Sequence, residues 1–271
     1  MPEQKIYSKG DLVKIFLQLG IKSNMSLMVH SSLSGLGYVV NGPYDIIDAL
    51  LELIGPGGTL LVPSHSGDLT DPQDWKNPPV PQTWVKKIKQ KMNPFDPKKT
   101  PVRNRGILPQ YFLNYPEVRR SYHPISSVAA IGRKADYYTC GHPLHESEGV
   151  GSPCYKLFKD GGYILLLGVS LEACTGIHVA EFIADCSYLY QSNLKVLVDE
   201  PGGRRAFVRL KKYPGSSEWF IKLRKDLLSE NKMRETQLDD YRITFFKLAD
   251  AVGLAVKKLE QDESYFRIPE S

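Results

Sequence analysis

The stretch SLMVHSSLSGLGYVVNGPYDIIDALLELIGPGGTLLVP, residues 26–63, decides the fold class of this chain. It begins with a short apolar strand at residues 27–29 and continues through a loop rich in serine and glycine. Pro43 suits the first turn of a helix that ends at the glycines of GPGG, and TLLVP (59–63) follows as a second strand. Because a strand, a helix and a strand in this order form a βαβ unit, the stretch predicts two parallel strands.

The segments on both sides extend this unit. We expect a helix over 7–20, capped by Ser8, and an antiparallel hairpin over 194–210 that turns at PGG (201–203). Apolar periodicity predicts further helices near 106–114, 175–185, 216–230 and up to about 260, and strands at 126–132, 163–171 and 242–246. Residues 72–104 are rich in proline, lysine and tryptophan and predict a long surface excursion.

Together these elements predict one α/β domain over residues 1–271, with a mostly parallel central sheet flanked by helices and the hairpin as an antiparallel addition. The composition, 42% hydrophobic and 24% charged, is typical of a soluble globular protein. No apolar run reaches the length of a membrane span, and the N-terminus lacks the core of a signal peptide. We therefore expect a cytoplasmic protein, monomer or homodimer, with no membrane partner.

Two further features of the composition concern possible partners. The four cysteines (Cys140, Cys154, Cys174 and Cys186) form no CxxC pair, which favours buried thiols over a disulfide or zinc framework. The run 86–105 carries eight Lys and Arg residues against one acid, Asp96. Such a run is either a solvated face or a site for a phosphorylated ligand. Because no aromatic interleaving or nucleic-acid motif accompanies it, we expect no nucleic-acid partner.

Polar side chains follow three of the predicted strands at the point where each strand ends. They are His30, Ser31 and Ser32, then residues 64–68 (SHSGD), then Thr175, His178 and Glu181. In open α/β sheets ligands bind beyond the carboxyl ends of parallel strands. If these strands are parallel neighbours, the three loops meet in one crevice.

The segment TGIHVAE (175–181) offers a general base. With Thr175 as the N-cap, His178 and Glu181 are three residues apart on one helix face. A helix N-terminus disfavours an imidazolium and a carboxylate favours it, and these opposed influences suit a base that works near neutral pH. Two alternatives stay open. His178 is a core histidine bonded to a backbone carbonyl, or it joins His30, His65, Asp68 and His123 in a zinc site of a metal-dependent hydrolase.

Several segments closely resemble the aminoglycoside 3-N-acetyltransferase family. They span residues 27–186 and include VHSSLSGLGYVVNG, HSGDLTDP, HPISSVAAIG, EGVGSPCYKLFKDGGYILLLGV and TGIHVAE. The resemblance implies that family's own α/β fold and acetyl transfer, without a metal, from acetyl-CoA to the 3-amino group of an aminoglycoside, giving antibiotic resistance.

The resemblance also implies roles for particular residues. His178 falls on the general base, Glu181 on its partner and Asp68 on the carboxylate of the HSGDLTDP element. The coenzyme-binding positions fall on His30, Ser31, Ser32, Leu33, Ser127 and Thr175. Because the chain is mildly basic and the acceptor is a polycation, local acids must attract it, and Asp68, Asp71 and Glu181 are the expected substrate-binding acids. Backbone N–H groups of the turn at 31–33 are candidate donors to the oxyanion, a role worth about 10²–10³ in rate.

The chain departs from the family in two places. Where the family commonly reads TPTRGMG, this chain reads TPVRNRG (100–106), with Val102, Asn104 and Arg105 as the changes. An arginine near the acceptor pocket would repel a polycation, so the same transfer to a nucleotide or another amine is the alternative. Gly176 stands where a larger residue is expected and predicts a looser first turn. A coenzyme-binding protein without catalysis is a third possibility.

Overall fold

The computed structural model describes residues 5–76, 78–200, 204–238 and 240–267. The strands are β1 (Ile6–Tyr7), β2 (Ser26–Ser31), β3 (Tyr38–Val39), β4 (Thr59–Pro63), β5 (Arg119–Arg120), β6 (Val128–Gly132), β7 (Tyr163–Leu167), β8 (Lys195–Glu200), β9 (Arg204–Arg209), β10 (Met233–Leu238) and β11 (Tyr241–Lys247). The α-helices are α1 (Lys9–Leu19), α2 (Pro43–Ile54), α3 (Gln82–Lys91), α4 (Leu108–Phe112), α5 (Ala135–Thr139), α6 (Pro153–Lys159), α7 (Val179–Ile183), α8 (Arg224–Ser229) and α9 (Leu248–Gln261).

Within the described residues the main sheet has seven strands in the order β10-β11-β7-β2-β4-β6-β5. The parallel pairing of β2 with β4 confirms the predicted βαβ unit, and β2 is also parallel to β7. The other four pairs are antiparallel, so the outer strands differ from the mostly parallel pairing that we predicted. One reason is the tight connection between Leu238 and Tyr241, which is too short for a crossover and makes β10 and β11 a hairpin.

Both faces of this sheet are buried. Along β2 and β7 successive side chains alternate between two hydrophobic clusters: Met28 and Ile164 belong to one, Val29 and Leu165 to the other. Helices α6, α7 and α9 cover the first face, and α1, α2 and α4 cover the second. Strands buried on both sides are apolar at nearly every position, which is why the sequence predicts β2 and β7.

Local signals at the helix ends agree with the structure. Ser8 caps α1 in a capping box with Asp11, and Gly20 ends the helix in the left-handed region at φ 111°. Pro43 is the first residue of α2, as predicted. The predicted helix at 175–185 is instead a 3₁₀ turn, Thr175–His178, that continues into α7. Thr175 is therefore inside the turn and is not an N-cap.

The segment 72–104 contains more structure than predicted. Helix α3 lies within it, and its last turn is held by the Lys89–Asp71 ion pair, 2.7 Å long. The predicted hairpin is confirmed as the antiparallel pair β8–β9, while its PGG turn lies outside the described residues. An isolated antiparallel bridge between Thr70 and Val196 connects this hairpin to the loop that follows β4.

Two smaller findings complete the fold. Three of the four cysteines are buried as free thiols, but Cys140 is exposed, which corrects that prediction. In the part of the chain that the structure describes, no helix combines the length and the apolar composition that a membrane span requires.

Candidate active site

His178 and Glu181 form a hydrogen-bonded pair at the junction of the 3₁₀ turn and α7. The His178 Nδ1 lies 2.6 Å from Glu181 Oε2, and Tyr188 donates its hydroxyl to Glu181 Oε1 at 2.8 Å. The Glu181 side chain is 1% exposed, so its carboxylate serves protein groups. Because the carboxylate accepts, His178 carries its proton on Nδ1 in the neutral ring. The lone pair is then on Nε2.

The ring of His178 faces a cavity of about 250 Å³. We call it the larger cavity, because a smaller one lies beside it. Its lining includes His65, Arg105, Ser126, Glu148, Thr175 and His178, with the segment 213–217 forming its other wall. Phe220 packs edge-on against the imidazole with the ring centroids 4.8 Å apart. His178 is thus bonded to a carboxylate beside a cavity, and the alternative of a core histidine held by a backbone carbonyl is wrong.

A smaller cavity of about 140 Å³ lies next to the first one, and the end of β2 lines it. His30 and Ser31 line it, while Arg105 and Ala173 line both cavities. The loops after β2 and β7 therefore meet, as we expected if these strands were parallel neighbours. The buried Nε2 of His30 has no hydrogen-bond partner within the described ranges, and burial lowers the pKa of this histidine to about 3, with Arg105 adding to the effect.

The predicted oxyanion turn at 31–33 is only partly available. Ser32 donates its backbone N–H to the Leu167 carbonyl at 2.8 Å, and its own carbonyl accepts the Tyr241 hydroxyl at 2.9 Å. Ser32 is therefore part of the sheet edge, which corrects its role as a backbone donor. In the described part of the chain the Leu33 N–H has no protein acceptor, so Leu33 keeps a free donor.

Ser127 is a second correction. Its side chain is completely buried, donates to the Ser64 carbonyl at 2.8 Å and accepts from Arg120 Nε at 3.0 Å. No surface of Ser127 remains for a coenzyme. The neighbouring Ser126 lines the larger cavity instead. The alternation of a strand entry puts only one of two adjacent serines on the site side, and the sequence motif does not show which.

The predicted acids Asp68 and Asp71 have different positions. Asp68 is half exposed and pairs with Arg103 at 2.7 Å, outside the described lining of both cavities. Asp71 is buried, caps the short 3₁₀ turn Pro72–Asp74 and pairs with Lys89. The structure does not bring Asp71 into the site, which corrects its substrate-binding role. These ion pairs also use Lys89 and Arg103, two members of the basic run at 86–105.

The departures in TPVRNRG have clear positions. Val102 is buried in the protein interior, and Asn104 has φ 54°, in the left-handed region that glycine and asparagine tolerate best. This explains why asparagine replaces the family's glycine. Arg105 reaches His65, with Nη2 at 2.6 Å from Nδ1. It therefore puts a guanidinium between the two cavities.

The loop 140–151 is held by two histidines whose rings are in contact, and one of them, His123, was a candidate metal ligand. His123 accepts the Ser126 N–H at Nδ1 and donates Nε2–H to the Leu144 carbonyl. His142 lies with its ring centroid 4.6 Å from that of His123 and donates Nε2–H to the Ser147 carbonyl at 2.8 Å. Both nitrogens of His123 are thus used. Among the described residues, no group of three or more His, Cys, Asp or Glu side chains is arranged to hold a metal ion.

Sequence reasoning missed Glu148, which this loop carries into the larger cavity. The residue is 2% exposed, and its Oε2 has no hydrogen-bond partner in the part of the chain that the structure describes. Burial raises the pKa of Glu148 to about 8, although the Cys154 thiol and Arg105 act in the opposite direction. Glu148 lies in a loop, where the periodicity of apolar residues does not predict which way a side chain points. Its position depends instead on the hydrogen bond between His142 and the Ser147 carbonyl.

Most of the chain is similar to proteins of one family. A family model described as aminoglycoside 3-N-acetyltransferase matches residues 28–260. The SPbeta prophage-derived aminoglycoside N(3')-acetyltransferase-like protein YokD of Bacillus subtilis is 32% identical over 258 residues, or 95% of this chain and 94% of that protein. The crystal structure of YokD matches with a TM-score of 0.87, covering 97% of this chain and 96% of that chain, which confirms the α/β fold class.

Other similar solved structures contain ligands, and two of them show a coenzyme and an aminoglycoside. AAC-IIIb in a binary complex with CoASH is 28% identical, with a TM-score of 0.80, covering 95% of this chain and 97% of that chain. AAC(3)-IVa, as a histidine-to-alanine mutant in complex with a gentamicin, is 27% identical with a TM-score of 0.83, covering 99% of this chain and 94% of that chain.

Proposed function

Because this chain belongs to the aminoglycoside 3-N-acetyltransferase family, we propose that it transfers an acetyl group from acetyl-CoA to the 3-amino group of an aminoglycoside, with His178 as the general base. The observation that carries the proposal is the hydrogen bond of 2.6 Å between His178 Nδ1 and Glu181 Oε2, beside a cavity that His178 itself lines. This bond leaves Nε2 free to take a proton.

The pair performs the proton transfers of the reaction. An ammonium has no lone pair, so the acceptor nitrogen first loses one proton to solvent and attacks the thioester carbonyl as the neutral amine. His178 Nε2 takes a second proton from this nitrogen while the C–N bond forms and returns it to the sulfur as the C–S bond breaks. Glu181 stabilises the imidazolium between these two steps, and Tyr188 holds Glu181 in place. General-base catalysis of this kind contributes about 10²–10⁴ in rate.

The two cavities suit the two substrates. The end of β2 lines the smaller one, and the unpartnered His30 Nε2 there is suited to a hydrogen bond with a polar group of the coenzyme. The larger one contains the base and is the place for the acceptor. The CoASH complex of AAC-IIIb and the gentamicin complex of AAC(3)-IVa support this choice of donor and acceptor.

The test is release of free thiol from acetyl-CoA with a panel of gentamicin, kanamycin and apramycin types, beside nucleotides and simple polyamines. We expect release with aminoglycosides, and a product acetylated at the 3-amino group by mass spectrometry and NMR. Absence of thiol release with every aminoglycoside would contradict the proposal.

The matching variant is His178→Ala. We expect it to lose about 10²–10⁴ in kcat while its Kd for CoA, measured by calorimetry, stays unchanged. A variant that keeps more than about a tenth of the wild-type rate would show that His178 is not the base. Unchanged coenzyme binding together with lost turnover also separates an enzyme from a coenzyme-binding protein without catalysis.

A further inference from the structure

Glu148 is a buried carboxyl group that the proton transfers do not use. It lines the larger cavity together with His178 and is only 2% exposed. The loop that carries it is fixed on its N-terminal side by His142, which donates to the Ser147 carbonyl. The Gly149 N–H donates to the Glu146 carbonyl on the other side. The carboxyl is therefore held in the cavity wall by a rigid turn.

One oxygen of this carboxyl, Oε2, is buried and has no hydrogen-bond partner among the residues that the structure describes. A buried polar atom that stays unsatisfied destabilises the protein, so this oxygen is suited to accept a hydrogen bond from a ligand. Four titratable groups interact electrostatically or by hydrogen bonding with the Glu148 carboxyl, namely Arg105, Glu181, Cys154 and Tyr213. His65 and His178 line the same cavity. No ion pair forms between Glu148 and Arg105 within the described residues.

The acids expected to bind the acceptor are largely committed to protein partners. Glu181 uses both oxygens for His178 and Tyr188, Asp71 pairs with Lys89, and Asp68 pairs with Arg103. An aminoglycoside carries several ammonium groups, and the cavity also contains the cationic Arg105. A carboxylate is needed there to offset the repulsion between Arg105 and the acceptor.

We propose that Glu148 is a further acceptor-binding residue whose Oε2 accepts a hydrogen bond from an ammonium group of the aminoglycoside other than the one that is acetylated. This inference rests on the function proposed above. The ammonium would satisfy the unpartnered oxygen and place a positive charge in direct contact with the carboxylate.

A change of protonation accompanies this contact. Because burial raises the pKa of Glu148 to about 8, the carboxyl is mostly neutral at pH 7 in the free protein. An ammonium beside it favours the ionised form. Binding of the acceptor at pH 7 therefore releases a proton from Glu148.

The experiment compares Glu148→Gln with Glu146→Gln. Glu146 is on the same loop but lies outside the described lining of both cavities and pairs with Lys212 at 3.6 Å, so its variant controls for the loss of one acid from this loop. We expect Glu148→Gln to raise the acceptor KM and Kd about 10- to 100-fold, with a smaller effect on kcat. Calorimetry in two buffers of different ionisation enthalpy should show that proton release on acceptor binding falls by up to one proton in this variant only.

Glutamine resembles the neutral carboxyl, so Glu148→Gln should fold at pH 7, as thermal unfolding will show. Glu148→Asp provides a second test because it keeps the charge and withdraws the oxygens by one methylene. It should weaken acceptor binding and still release the proton. Wild-type KM and Kd in either variant would overturn the inference. Failure of the proposed function looks different, because wild-type protein would then acetylate no aminoglycoside at all.

Discussion

At the scale of single residues, the function depends on which atoms are already bonded. His178 and Glu181 are ordinary residue types, and their role depends on a third residue. The Tyr188 hydroxyl donates a hydrogen bond to Oε1 of Glu181, so the carboxylate contacts His178 through Oε2. The same principle removes the Ser127 side chain from coenzyme binding and the Ser32 backbone N–H from the oxyanion role, since both groups are already bonded to protein carbonyls. A motif gives the residue type, while the hydrogen-bond partners decide the role.

Tyr188→Phe tests this positioning at the residue scale. The substitution leaves Glu181 Oε1 buried without its donor, so we expect kcat to fall about tenfold or more. The KM for coenzyme and acceptor should change little, because Tyr188 acts through Glu181. Steady-state kinetics gives this separation.

Tyr190→Phe is the matched control for that variant. The Tyr190 hydroxyl donates to Asp185 at 2.8 Å on the exposed side of the same segment, and its removal should leave kcat unchanged. Equal effects of the two variants would mean that Tyr188 has no special role.

At the scale of elements, close approach explains what the residue pattern obscured. Gly176 lies in the 3₁₀ turn before α7, and a Cβ there would stand 2.9 Å and 3.1 Å from the two methyl carbons of Leu248 at the start of α9. The predicted looser first turn is therefore wrong. Glycine lets the turn that carries His178 pack directly against α9.

Gly176→Ala should destabilise the protein by about 1–3 kcal/mol, because the added methyl group overpacks the contact with Leu248. The measurement is the free energy of unfolding in denaturant. Gly253→Ala is the control on α9 itself, where an added Cβ meets nothing within 4 Å. There we expect a gain of about 0.5–1 kcal/mol from helix propensity. A Gly176→Ala protein as stable as wild type would contradict the packing argument.

At the scale of the whole molecule, buried histidines make the fold sensitive to acid. Burial is the first cause that lowers the pKa of four of them, His30 to about 3, His123 to about 4, and His65 and His142 well below the ordinary value. They remain neutral in the native state at pH 5, while the unfolded chain protonates them below about pH 6.5. Stability is therefore lost as pH falls from about 6.5 towards 4.

Glu148 acts in the opposite direction over the same range. Its raised pKa of about 8 keeps a proton on the native protein that the unfolded chain loses above about pH 4.5. Four histidines against one glutamate predict a net uptake of about three protons on unfolding near pH 5, from the slope of the unfolding free energy against pH. Glu148→Gln should raise this uptake to about four. Stability that is independent of pH between 5 and 6.5 would contradict the prediction.

The sequence by itself determined the features that depend on neighbouring residues. The apolar runs of β2 and β7, the cap at Ser8, the proline at the start of α2 and the three-residue spacing of His178 and Glu181 are all local, so they could be predicted. Family motifs then gave the reaction type. Each of these signals lies within one or two turns of chain or within one strand.

Only the tertiary structure decided which groups face the cavities and which are already bonded. Glu148 and Arg105 enter the site from segments far from His178 in the sequence, and Asp71 leaves it to pair with Lys89. The antiparallel outer strands likewise depend on which strand lies next to which. These outcomes come from long-range packing and from competition among hydrogen-bond partners, and neither is encoded by the spacing of residues along the chain.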